Sequence, residues 1–235
     1  VTFHLIGGNL LFAVLVYLSW ITWNPQSRER KKEDSTSSIQ IPLTAKKTVW
    51  MLAILFIIAA SGGYNSSTYS GYACEAFPGC HEGASLSFGL SGMELGATKL
   101  PEAPEELQGR FLPFFANEWV NMLHRLIAIG GGTMLIFMAW SWLIQNPLPA
   151  LRKSGWWIMV LIPLETLIGV ANAVLRVPIP VSSLHTALLA TMIGVLSYAL
   201  VRSMHPKQEQ VQDQRLIHLP QKSERVDSNY EKIPA

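Results

Sequence analysis

Charge is scarce in this 235-residue chain: Asp, Glu, Lys and Arg make up 14% of it, against 49% hydrophobic residues. A soluble domain of this length would need far more charge on its surface, so that class is excluded. The charges present nearly cancel, leaving a net +2, which argues against nucleic acid as a partner. There are only two cysteines. What the chain has in place of charge is long, uninterrupted apolar runs.

A helix in hydrocarbon satisfies its own backbone and needs about 20 mostly apolar residues to cross. Five segments qualify: 1–23, 48–62, 119–144, 156–177 and 181–201. The second is the shortest and is expected to run on into 64–68. The fold class read from this pattern is all-α integral membrane, a bundle of five transmembrane spans. The eight Trp cluster largely at segment ends, as interfacial anchors do.

Orientation follows from Lys and Arg, which are in excess in cytoplasmic connections. The first connection carries Arg28, Arg30, Lys31, Lys32, Lys46 and Lys47; the third carries Arg152 and Lys153; the tail begins with Arg202 and Lys207. These three are expected on the cytoplasmic side. The long second connection, 63–118, holds only Lys99 and Arg110 as cations and is rich in Glu, so it faces outward. The turn Pro178-Ile179-Pro180 then lies outside too, and His4, His124 and His185 all fall in the outer half of the bilayer.

Cys74 and Cys80 share the outward loop, where an oxidising compartment makes a local disulfide the default. A redox-active pair exchanging with a partner is the rival. Two stretches read as poorly ordered: 26–40, with its Arg-Glu-Arg-Lys-Lys-Glu-Asp run, and the polar tail beyond about 204. His205 and His218 are expected to be solvated there. His81 either faces solvent or guards an outer entrance. The chain opens on Val1 inside an apolar helix, and His4 and His185 open similar stretches, so the first segment reads as the last helix of a preceding repeat whose earlier part is missing.

A lone imidazole in a membrane helix is costly unless paired, hydrogen-bonded or ligating. One alone fits a helix–helix hydrogen bond equally well; three at one depth suggest a metal cofactor. Heme iron takes one imidazole from each face, and helix bundles build such sites from facing helices. Small residues follow at helical spacing, Ala128, Gly131 and Gly132 after His124, and Gly7 and Gly8 after His4, which suits a flat cofactor or simply close helix packing. Arg125 and Arg176 either pair with heme propionates or snorkel to headgroups. Glu165 shares a face with Gly169, Asn172 and Arg176 and so points into the bundle, where an interhelical hydrogen bond or a proton relay would employ it. Glu118 reads as a helix-start carboxylate.

The run Glu118-Trp119-Val120-Asn121-Met122-Leu123-His124-Arg125 resembles the His-Arg helix of the heme A synthase family. Ser61-Gly62-Gly63 through Ala73-Cys74 and Phe77-Pro78-Gly79-Cys80 resembles its helix exit and outer cysteine pair. Ile168-Gly169-Val170, then Pro178, Pro180 and Leu184-His185, resembles its last two helices. The resemblance covers about 1–203. It implies a pseudo-twofold protein of two four-helix halves, represented here by the last helix of the N-terminal half (1–23), a basic cytoplasmic linker (24–47), the C-terminal heme-binding bundle (48–203) and a cytoplasmic tail (204–235).

On that resemblance, His124 and His185 are the axial ligands of a heme b, and His4 belongs to the half that binds heme o. The family oxidises the C8 methyl of heme o to the formyl of heme A for cytochrome oxidase. Its catalysis is tied to a Glu-x-x-His-Arg helix absent from this chain, which would make the chain alone inactive. Asn121 stands where that helix has Glu, and Glu165 where Gln is usual. Implied partners are heme o, membrane lipid, an unidentified electron donor, heme o synthase and oxidase assembly factors, in a bacterial plasma or mitochondrial inner membrane. Two alternatives stay open: a bis-histidine cytochrome exchanging electrons with quinone, and a non-redox transport or scaffold bundle.

Overall fold

The computed structural model describes residues 2–23, 42–74, 76–80, 114–146 and 148–205. Five helices form: α1 (Thr2–Trp23), α2 (Leu43–Ser67), α3 (Phe114–Gln145), α4 (Pro149–Val174) and α5 (Ile179–Met204). A short 3-10 turn, Ser70–Tyr72, follows α2. At 22 to 32 residues the helices are at least ~30 Å long, and all five are apolar enough to cross a membrane. No strand occurs among the described residues. The expected transmembrane bundle is therefore what forms.

The helices begin earlier than the apolar runs do. α2 starts at Leu43 and α4 at Pro149, so Lys46, Lys47, Arg152 and Lys153 lie in helix, not in connections. Long cationic side chains let a helix continue through the interface, and proline suits a first helical position because its missing N–H would have no partner there. Lys47 donates to Ser141 Oγ, and its ammonium lies 5.9 Å from the Trp142 ring centroid. Trp142 is 1% exposed, a core residue where an interfacial anchor was expected.

α2, α3, α4 and α5 pack in a closed ring, each against the next and α5 back against α2. α3 and α5 thus oppose each other across a diagonal. α1 lies outside the ring in the groove between α5 and α2, and the one residue it buries is Asn9. Close crossings fall at small residues: a methyl added at Gly131 of α3 would lie 2.8 Å from Ile58 of α2, at Gly155 of α4 2.9 Å from the Ala139 carbonyl oxygen, and at Gly194 of α5 3.1 Å from Phe12 of α1. This is how helices associate where lipid is as apolar as any side chain.

Large apolar side chains are left exposed around the perimeter, among them Phe137, Leu167 and Ile144, as expected where the surrounding solvent is hydrocarbon. The buried core of Met51, Leu55, Leu135, Trp142, Leu151, Ile158 and Leu196 sits toward the end where α2 and α4 begin and α3 and α5 finish. The opposite end carries His4, His124 and His185. α1 and α5 run parallel, with Trp20 stacked on His205 at 5.0 Å and 23°. His205 is therefore half-buried against an indole and not solvated as expected; it ends α5 where α1 is still passing.

Candidate functional site

His124 lies on α3 and His185 on α5, the diagonal pair, and each ring is set by the helix that precedes its own. Nδ1 of His124 is 2.9 Å from Ser61 Oγ of α2. The Ser61 hydroxyl donates to the Ile58 carbonyl oxygen at 2.8 Å, so its oxygen is left to accept from Nδ1–H. A neutral imidazole protonated at Nδ1 has a bare lone pair at Nε2, the form that ligates metal. The neighbouring residue, Gly62, lets the ring approach: a methyl there would meet His124 Cε1 at 3.0 Å.

The second hairpin repeats the arrangement. Nδ1 of His185 lies 3.2 Å from Glu165 Oε1 of α4, and a methyl at Gly169, one turn along α4, would meet His185 Cε1 at 3.1 Å. The Nδ1–Oε1 approach is within hydrogen-bonding distance but poorly aligned, and Oε2 is buried with no partner among the described residues. One hairpin, α2–α3, thus presents Ser61, Gly62 and His124; the other, α4–α5, presents Glu165, Gly169 and His185.

Arg125 reaches the cysteine loop. Its Nη1 donates to the carbonyl oxygens of Ala76, Pro78 and Gly79 at 2.9, 3.1 and 2.8 Å, and the guanidinium carbon lies 5.5 Å from the Phe77 ring centroid. It fastens the cysteine loop to α3. Cys74 and Cys80 are bonded to each other and buried, which meets the default expectation for the pair. Asn121 fastens the same region, donating to the Ser70 carbonyl oxygen at 2.9 Å. Arg125 Nη2 remains buried without a partner among the described residues. Glu118 is buried, at 2% exposure, and because α3 begins at Phe114 it lies past the first turn and not at the helix start where it was expected.

His4 is exposed on α1, and Gly7 and Gly8 after it have nothing within 4 Å. Gly131 and Gly132 pack against Ile58 and Ile162, so they serve helix crossings. The glycines that flank the imidazoles, Gly62 and Gly169, come from neighbouring helices, which no spacing along α3 or α5 reveals. Arg176 and Val177, in the connection after α4, have left-handed backbone at φ 59 and 57. His81 and His218 lie outside the described residues.

No group of three or more His, Cys, Asp or Glu able to hold a metal ion occurs among the described residues. Two imidazoles, each with Nδ1 turned toward a polar residue of the preceding helix, fit a metal that brings its remaining ligands with it, as a porphyrin does. The unpartnered Arg125 Nη2 fits an anionic group beside it. The residues present are thus compatible with heme.

Fold and site together define a membrane four-helix bundle with a histidine pair on opposed helices. Residues 1–197 match the cytochrome oxidase assembly protein family, and the chain belongs to that family. It is similar to a heme A synthase of Shewanella oneidensis, 26% identical over 212 residues, covering 84% of this chain and 57% of that protein. The chain therefore spans somewhat more than half the length of that curated relative.

Proposed function

We propose that this chain carries the heme b half of a heme A synthase, with His124 and His185 as axial ligands. What carries this reading is the paired geometry: two imidazoles on diagonal helices, each with Nδ1 facing a polar residue and Cε1 close to a glycine of the preceding helix. When bound, the heme supplies an iron that accepts and passes on single electrons. Ser61 and Glu165 would orient the rings, and Arg125 Nη2 would be free to take an anionic propionate while Nη1 holds the disulfide loop to α3.

In the whole protein the substrate is heme o, oxidised at its C8 methyl to heme A in a half to which His4 belongs, with electrons passed to a separate carrier. The histidine end faces outward and the Lys- and Arg-bearing end faces the cytoplasm, in a bacterial plasma or mitochondrial inner membrane; the loop charges support this. Family membership favours this reading over a quinone cytochrome or a non-redox scaffold.

The test is a reduced-minus-oxidised spectrum of the full chain purified after heme-replete expression. A bis-imidazole b-type spectrum is expected, lost in both His124→Ala and His185→Ala. Wild-type protein without a Soret band, or a spectrum unchanged in either variant, would overturn it.

A further inference from the structure

The two hairpins place a polar atom beside each Nδ1, at 2.9 Å in a hydrogen bond for His124 and at 3.2 Å without hydrogen-bond alignment for His185. His124 faces a neutral hydroxyl whose own proton is committed to the Ile58 carbonyl oxygen, whereas His185 faces a carboxyl oxygen of Glu165. Glu165 lies within the apolar span of α4 at 15% exposure, and His185 is its one polar partner among the described residues. A carboxyl group there is expensive, so intramembrane residues of this kind serve function by default. Gly169, four residues on, stands on the same face of α4, and the imidazole is caught between the carboxyl and that glycine.

We propose that Glu165 is a positioning residue for the axial ligand His185: it accepts Nδ1–H, keeps Nε2 bare for iron, and fixes the rotation of the ring. This rests on the reading that His124 and His185 hold a heme. A ligating imidazole whose other N–H is drawn to a carboxyl oxygen is the more basic ligand, and a more basic ligand favours ferric over ferrous iron. The two axial ligands are then unequal, with His185 the stronger donor. Glu165 touches neither iron nor substrate and acts only through His185.

Glu165→Leu and Glu165→Gln in the heme-loaded full chain test this. Heme content, the low-spin ferric resonance spectrum and the midpoint potential are read for each. Glu165→Leu is expected to raise the potential and change the ferric line shape at unchanged heme content. Glu165→Gln, with a weaker acceptor oxygen, falls between it and the wild type. If Glu165→Leu fails to accumulate in the membrane, Glu165→Gln must still raise the potential.

Line shape and potential matching the wild type in every variant that accumulates would overturn the role of Glu165 while leaving the heme reading intact. Wild-type protein without a bis-imidazole signal would remove the heme reading and this inference with it.

Discussion

At the scale of single residues, the site depends on what is missing from two side chains. Gly62 and Gly169 are helical positions where alanine is ordinarily preferred by ~1 kcal/mol, yet a Cβ at either would press on an imidazole at 3.0 or 3.1 Å. Gly62→Ala and Gly169→Ala are therefore expected to keep or raise helix content while heme is lost or its axial ligation is distorted. Circular dichroism and the ratio of Soret to protein absorbance, measured on one sample, check both halves. The face shared by Glu165 and Gly169 is legible in the sequence from the four-residue interval. Which histidine it meets is not, because α4 and α5 come into register only through the hairpin, where Ser182 donates to Asn172 at 2.7 Å and Val177 N–H bonds to the Asn172 carbonyl oxygen. The role of Arg125 was equally hidden: the loop carbonyls it gathers are distant in sequence and identical in chemistry to any others.

Among the glycines of the described helices, Gly131 is where an added methyl would come nearest a neighbouring helix, at 2.8 Å from Ile58 of α2. Gly131→Val places methyl groups against Ile58 and Ile54, which overpacks the crossing at a cost of roughly 1–3 kcal/mol. A lowered unfolding temperature in detergent is expected, together with weaker heme retention, because Ser61 and Gly62 lie one turn beyond Ile58 and move with it. An unchanged melting temperature would show that the helices separate there at no cost. The spans themselves were legible in the chain, since apolar length is a local property. Their starts were not: helix α4 gains its first turns because Pro149 fits the opening position and Arg152 and Lys153 are exposed beyond the apolar run.

For the whole molecule, α1 is the weakly held part, burying one residue and meeting α5 at Trp20 and His205. Burial, and then the nearby Arg202 charge, lower the pKa of His205 from its ordinary 6.5. A base with a depressed folded-state pKa contributes stability above the unfolded value that is lost as pH falls through the folded one. Attachment of α1 is accordingly expected to loosen as pH drops from 6.5 downward. Protease cleavage or hydrogen exchange within α1 at pH 8 and pH 5 measures this, and His205→Phe should abolish the dependence. The sequence by itself determined that the chain forms five helices long and apolar enough to cross a membrane, because apolar length acts locally and adds along the chain. Only the tertiary structure decided that His124 and His185 stand on opposed helices, each backed by a glycine and a polar atom of a neighbour, because such contacts arise from the order in which helices close a ring.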